Sequence, residues 1–260
     1  MEERRGFRET IEAGGVVLGA RTATFSPTVV EVYGGLGLDF VWVDLEHTGP
    51  SPYDGPGLEH LTRAADVSGI DLLVRVPTPE PALIRKVLDA GVRNVLVPRV
   101  ETAEAVRDAV RATRFVYDGE PGDRGLASSR VNAWGDDDGY AERADGTVCL
   151  GVMIETAEAV EALEDVLAVP GLGFVFVGPS DLSVQLGHPG EKAHPEVADA
   201  VESTRSACLA ADVPLGALAH DPEAAVAAIE AGCQVVRIGG DLEATRGTLA
   251  SRLDAIRDAA

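Results

Sequence analysis

A closed barrel of eight βα units is the fold this sequence predicts, and three observations predict it. Eight short apolar runs recur along the chain, amphipathic stretches separate them, and 260 residues is the usual size of one such barrel. The runs are 15–20 (GVVLGA), 40–45 (FVWVDL), 71–76 (DLLVRV), 94–98 (NVLVP), 148–154 (VCLGVMI), 173–177 (GFVFV), 214–218 (PLGAL) and 234–238 (QVVRI). They are apolar on both faces, which marks strands of a parallel sheet covered on both sides. Helical periodicity fills 80–90, 102–113, 156–168, 195–211 and 221–231, with cap residues at the starts and glycine after several ends. An open dinucleotide-binding sheet would carry a GxGxxG turn after its first strand. Here that strand runs into Arg21-Thr22-Ala23-Thr24 instead. With no linker visible, residues 1–260 read as one domain.

The chain carries 43 acidic and 22 basic side chains, a net charge of −21, and its only lysines are Lys86 and Lys192. Such a surface repels nucleic acid and anionic membranes, so neither is an expected partner. The acids are spread over helices and loops, as in Asp136-Asp137-Asp138 and the Glu158/Glu161/Glu164 face, and read as a solvated surface suited to a salty cytoplasm. No apolar run is long enough to span a bilayer, and the Met1–Arg5 start resembles no signal peptide. Cys149, Cys208 and Cys233 match no zinc spacing and no disulfide framework, and read as small buried hydrophobes in a reducing, cytoplasmic setting.

Two segments interrupt or decorate the rhythm. Residues 116–146, rich in Asp, Gly and Arg, form a segment of the length expected of a lid or an interface. The hexapeptide Glu-Thr-Ala-Glu-Ala-Val occurs at 101–106 and again at 155–160, each time after a strand and at the start of a helix. Thr102 and Thr156 are therefore expected as N-caps, with Glu104 and Glu158 favourable in the first turn.

Function in such a barrel gathers where strands end and βα loops begin. Those positions hold Asp44-Leu45-Glu46-His47, Arg75, Glu155, Gly178-Pro179-Ser180-Asp181 and His220-Asp221. Two carboxylates on adjacent strands, with no cysteine cluster nearby, suit a hard divalent cation such as Mg²⁺ or Mn²⁺, with Co²⁺ a third candidate. Glu155 and Asp181 fit that role, although either could serve only as a helix cap. His47 can act as a base near neutral pH. His60, His188 and His194 read as structural or solvated, and His220 stands between the two readings. A guanidinium at the end of an apolar strand, Arg75, needs an anionic or carbonyl partner and could hold a carboxylate or an oxyanion. A Schiff-base aldolase would need a lysine inside the barrel. Lys86 falls mid-helix and Lys192 in a polar loop, so an enolate formed here would rely on a metal.

These residues resemble the HpcH/HpaI family of class II pyruvate aldolases, in the phosphoenolpyruvate/pyruvate barrel superfamily. The likeness rests on Asp44-x-Glu46-His47, Val74-Arg75-Val76, Gly122-Asp123-Arg124-Gly125, Ile154-Glu155-Thr156 and Gly178-Pro179-Ser180-Asp181-Leu182-Ser183 followed by Gly187. It implies that Glu155 and Asp181 hold the metal, that pyruvate chelates it, and that His47 takes the proton of the C4 hydroxyl. It implies that Arg75 stabilises the enolate oxygen and that the backbone at Ser180 and Asp181 meets the substrate carboxylate. Asp89 matches a family carboxylate that raises the basicity of the histidine from a neighbouring subunit. The family also implies a homohexamer with an exchanged terminal helix, here roughly 241–258. Met153 stands where several relatives place a glutamine, so one polar substrate contact is lost.

The sequence thus reads as a metal-dependent aldolase that cleaves a 2-keto-3-deoxy sugar acid or a 4-hydroxy-2-oxo acid to pyruvate and an aldehyde, of the 2,4-dihydroxyhept-2-ene-1,7-dioate or 2-keto-3-deoxy-L-rhamnonate type. A citrate-lyase-like or malyl-CoA-lyase-like enzyme on the same barrel is the second reading, disfavoured by a surface poor in lysine. A non-catalytic barrel with a binding role is the third.

Overall fold

The computed structural model describes residues 5–259; Met1–Arg4, the start of the N-terminal segment read above, and Ala260 lie outside the described residues. Among the described residues, eight strands close into a parallel barrel with each strand beside the next in sequence. They are β1 (Val17–Thr22), β2 (Phe40–Asp44), β3 (Asp71–Arg75), β4 (Asn94–Val97), β5 (Cys149–Ile154), β6 (Phe174–Val177), β7 (Leu215–Leu218) and β8 (Cys233–Gly240). β8 returns to pair with β1, Val17 opposite Val235, and the closure leaves no free strand edge. The eight expected runs coincide with these strands. The exception in register is the first, expected at 15–20: Gly15 still belongs to the turn that ends the N-terminal helix, its N–H bonded to the Thr10 carbonyl, so the strand starts two residues later.

Alternation along each strand divides the apolar residues into two layers. One layer, including Val41, Val43, Leu72, Val74, Val95 and Val152, faces the surrounding helices. The other fills the barrel with Val17, Phe40, Trp42, Leu73, Leu96, Met153, Phe174, Phe176 and Val235. Three interior glycines make room for these rings. A Cβ on Gly19 would lie 2.4 Å from the Phe40 ring, one on Gly151 2.3 Å from Phe174, and one on Gly216 2.1 Å from Phe176. The short helix Phe7–Glu12 plugs the end where the strands begin, with Phe7 5.5 Å from Phe40 and 5.6 Å from Phe174 between ring centroids. With that end sealed and the middle packed, the open end is the one where the strands finish.

Helix starts follow the expected capping. Thr102 accepts from the Ala105 N–H and Thr156 from the Ala159 N–H. The stretch 156–168 is broken into Ala157–Glu161 and Leu163–Leu167 at Ala162. The segment 116–146 is not a plain loop. It holds a two-stranded hairpin (Val116–Tyr117 with Glu120–Pro121), a 3₁₀ turn at Arg130–Gly135 and the start of a helix at Tyr140–Thr147. Within it Arg124 is buried, stacked 4.7 Å from the Phe115 ring and bonded to the Tyr140 hydroxyl, so the Gly-Asp-Arg-Gly motif anchors this segment by packing. Among the described residues no helix is long and apolar enough to cross a membrane. All three cysteines are free and buried, and burial pushes the Cys149 and Cys208 thiols up to about 12, which keeps them inert.

Because Gly151 has a phenylalanine ring where its side chain would be, Gly151→Ala is expected to destabilise the barrel by about 2 kcal/mol through overpacking. The midpoint of urea unfolding should drop accordingly, and an unchanged midpoint would show that the interior has slack.

Candidate active site

The site is built from the residues that finish the strands. Asp44 ends β2 and Arg75 ends β3, directly opposite each other in the register. Their side chains pair in bidentate fashion, with Arg75 Nε 3.0 Å from Asp44 Oδ1 and Nη2 2.7 Å from Oδ2. Burial alone would raise the Asp44 carboxyl, but the hydrogen bonds and charge of Arg75 outweigh it and hold Asp44 below the ordinary carboxylate value. Asp44 also accepts from the backbone N–H groups of Glu46 and His47, which curls the chain over the barrel end.

That curl brings Glu46 back to Arg75, with its Oε2 2.8 Å from Nη1. Burial raises the Glu46 carboxyl, helped by Asp44 and Asp181, against the pull of Arg75 and His47. Arg75 Nη1 has one further neighbour, the Met153 sulfur at 3.7 Å. A thioether is a weak acceptor, so Met153 adds little to what Glu46 supplies at this edge of the guanidinium.

Glu155 follows β5 directly and is 2% exposed. Its Oε1 accepts from the Arg99 N–H at 2.8 Å, and Arg99 holds a left-handed φ of 53° that aims this amide. Gly178, at the end of β6, gives the carboxylate room: a Cβ there would lie 2.8 Å from Glu155 Oε2. Burial, with repulsion from Glu46 and Asp181, pushes Glu155 up to about 7, against the opposing Arg99 hydrogen bond and Arg75 charge. Asp181 is partly exposed on the turn of helix that follows Gly178, and Ser180 beside it is exposed.

Glu46 and Glu155 therefore crowd their charges about a single guanidinium that Asp44 already neutralises, with Asp181 close enough to repel both. Three mutually repelling oxygen donors, one of them forced towards its protonated form, fit a hard divalent cation and suit neither a soft metal nor an anion. Among the described residues the three-residue group whose ligating atoms lie within 4.8 Å of one another is elsewhere: His188, His194 and Glu196 on the surface, where His188 bonds to Glu196 and stacks on His194.

The remaining expected residues separate into those at the mouth and those away from it. His47 is exposed at the mouth, its Nε2 3.6 Å from Glu46 Oε2. His220 and His60 are exposed. Asp89 closes the outer helix Pro81–Asp89, raised by burial against the charges of Arg124, Lys86 and Arg85, so this chain alone does not bring it to His47. Near it, a cavity of about 410 Å³ opens between Leu88, Arg93, Arg124, Arg130 and Arg143, on the outside of the barrel. Lys86 and Lys192 are exposed away from the interior, as the sequence implies. Asp44 and Glu46 stand in the sequence as a motif without an individual role; the spacing Asp-x-Glu-His at a strand end is the signal that places them at the site. Trp42 and Arg237, which also line the mouth, carried no signal beyond their places in apolar runs.

A family model described as HpcH/HpaI aldolase/citrate lyase matches residues 22–247. The hydroxypyruvate/pyruvate aldolase of Cupriavidus necator is 35% identical, over 93% of this chain and 88% of that protein. The 2-keto-3-deoxy-L-rhamnonate aldolase of Salmonella gallinarum is 34% identical, over 95% of this chain and 91% of that protein. The crystal structure of an HpcH/HpaI aldolase/citrate lyase family protein from Burkholderia cenocepacia superposes with a TM-score of 0.87 at 32% identity, over 94% of this chain and 95% of that one. With a carboxylate-rich barrel mouth, a family model spanning most of its length and aldolases among its relatives, the chain belongs to the HpcH/HpaI aldolase/citrate lyase family of carbon–carbon lyases.

Proposed function

We propose that this protein is a divalent-metal-dependent aldolase that cleaves a 2-keto-3-deoxy sugar acid or a 4-hydroxy-2-oxo acid into pyruvate and an aldehyde. The observation that carries the reading is the crowding of Glu46 and Glu155 around one clamped guanidinium, with Asp181 beside both carboxylates. Dependence on a divalent metal is general in the family. Held by Glu155 and Asp181, the ion, Mg²⁺ or Mn²⁺ with Co²⁺ as a third candidate, would supply Lewis-acid polarisation of the C2 keto group and a template for the 2-oxo acid.

The chain's own residues account for the remaining chemistry. The backbone N–H groups at Ser180 and Asp181, at the start of a helix, receive the substrate carboxylate. His47 reaches out from the mouth, its Nε2 3.6 Å from Glu46 Oε2, and accepts the proton of the C4 hydroxyl. The C3–C4 bond then breaks, its electron pair moves into the keto group to leave the enolate of pyruvate, and C4 departs as the aldehyde. Arg75, locked by Asp44, meets the growing negative charge on the C2 oxygen from the Nη1 edge that lies between Glu46 and Met153. Protonation at C3 completes pyruvate. Both lysines lie outside the barrel, which removes the Schiff-base route.

The role of Asp89, raising the basicity of His47, needs a neighbouring subunit, and a homohexamer is proposed with it. The helix Asp241–Ala259 has no buried residue and exposes Leu242, Leu249, Leu253 and Ile256, an edge suited to exchange with a second copy. Residues 1–260 are taken as one catalytic unit, in a cytoplasm that keeps its three thiols reduced.

Pyruvate release from a panel of 2-keto-3-deoxy sugar acids and 4-hydroxy-2-oxo acids should require Mg²⁺ or Mn²⁺ and vanish with EDTA and in Glu155→Ala. In His47→Ala kcat should fall by about 10²–10⁴. Release that survives EDTA would overturn the metal-dependent mechanism, and release only from an acyl-CoA substrate would transfer the reading to the coenzyme A lyases.

The cation requires the charged form of Glu155, whose protonated form persists up to about pH 7. Calorimetric affinity for Mn²⁺ should therefore rise by up to about tenfold per pH unit towards 7 and level off above it. Glu155→Gln should weaken binding and flatten that dependence, whereas a wild-type affinity flat from pH 5 to 8 would remove Glu155 from the binding set.

A further inference from the structure

A second group of charged side chains at the mouth has no part in the chemistry above. Arg21 near the end of β1 and Arg237 in β8 stand on neighbouring strands, with Gly19 opposite Arg237 and Arg21 opposite Gly240. Alternation from the interior residues Val17 and Val235 points both arginines into the barrel. Arg237 is only 8% exposed. Among the described residues its guanidinium makes no hydrogen bond and no ion pair, and its Nε is buried without a partner. Arg21 has one loose ion pair, 3.8 Å to Glu243, and its Nε is likewise buried and unpartnered. The indole Nε1 of Trp42, which pairs with Arg21 in the register, is a third buried donor without an acceptor.

A buried guanidinium without a hydrogen-bonded partner, as at Arg237, is costly, because burial strips water from the charge and nothing replaces it. Burial pulls the Arg237 pKa down, and the charges of Arg21 and Arg75 act in the same sense, against Glu243 and Asp44. Arg237 and Arg21, offset at close range only by the loose Glu243 pair, sit inside a chain of net charge −21. An anion would satisfy all three donors, and arginine pairs readily with an oxyanion in bidentate fashion.

The placement says which anion. The metal carboxylates end β5 and follow β6, whereas the arginines lie on β1 and β8, across the mouth. Trp42 joins the two regions, with Arg75 Cζ 5.8 Å and Arg237 Cζ 5.7 Å from its ring centroid. A substrate anchored by its keto acid near Glu155, with its C4 hydroxyl under His47, directs its far end towards Arg237 and Arg21. We infer that Arg237 and Arg21, with Trp42, form a subsite for an oxyanion on the aldehyde half, so that the preferred substrates yield pyruvate and an aldehyde bearing a carboxylate, sulfonate or phosphate. This inference rests on the aldolase reading above.

The test is aldol addition of pyruvate, with Mn²⁺ present, to aldehydes of two kinds. Succinic semialdehyde, 3-sulfopropanal and glyceraldehyde 3-phosphate carry the three oxyanions, and butanal and glyceraldehyde are the neutral counterparts. Wild-type kcat/KM should favour at least one anionic aldehyde by about tenfold or more, and the anion preferred identifies the group recognised. In R237Q the anionic-to-neutral ratio should fall about 10–100-fold, chiefly through KM, with partial recovery in R237K. A wild type without preference, or an R237Q protein whose ratio is unchanged, overturns the subsite. Deuterium exchange at C3 of pyruvate in D₂O, which needs no aldehyde, reports the aldolase reading separately: exchange without anion preference sinks the subsite alone, and no exchange sinks the reading itself. Should R237Q fail to fold, succinate is titrated into W134F, whose only indole is Trp42. A saturable fluorescence change that R21Q weakens supports the subsite, and its absence overturns it.

Discussion

The bidentate pair between Asp44 and Arg75 ties two neighbouring strands together at the point where both leave the barrel. The rest of the mouth depends on it. Removing one partner of such a buried pair typically costs about 3–5 kcal/mol, because the other is left charged and dry. Here the pair does more than hold strands. Asp44 uses its second function, as a backbone acceptor, to bend residues 46 and 47 over the opening, and so sets where the candidate base stands. Arg75, held on one side, keeps its other edge for Glu46 and for the space beside Met153.

Charge at the mouth is divided across the barrel. On the β5–β6 side, carboxylates exceed the cations that could balance them, and Glu155 is pushed towards neutrality. On the β1–β8 side, two arginines have more positive charge than Glu243 can match at 3.8 Å. Both imbalances are costly to the protein by itself, and the proposed ligands, a cation on one side and an oxyanion on the other, would each relieve one of them. On the proposed reading, such a site would orient an extended anionic substrate by its two ends before any bond breaks.

The barrel beneath serves this arrangement by being full. Three phenylalanine rings on two strands lie over glycines on neighbouring strands, and Phe7 closes the opposite end. Packed interiors transmit position with little slack, so strand ends arrive at defined heights. Where an extra constraint was needed, it was met by local strain: the left-handed Arg99 amide that grips Glu155.

How much of this was legible in the sequence varies with range. The two copies of Glu-Thr-Ala-Glu-Ala-Val show the division well. Their capping was readable in both, because a threonine binding the N–H three residues on is a local event. Their glutamates differ: Glu101, four residues past the end of β4, is exposed, whereas Glu155 directly follows β5 and is buried beside Gly178. Nothing within the hexapeptide distinguishes them. The same holds for Asp89, which matches a family motif but lies on an outer helix, and for Arg237, which in sequence is one polar residue in a strand. The sequence by itself determined the alternation of strands and helices, the caps, and the residue types at strand ends, since these follow from backbone preferences and periodicity. Only the tertiary structure decided which charges face one another, which lose their water and which lack a partner, because those depend on strands that meet across a closed barrel.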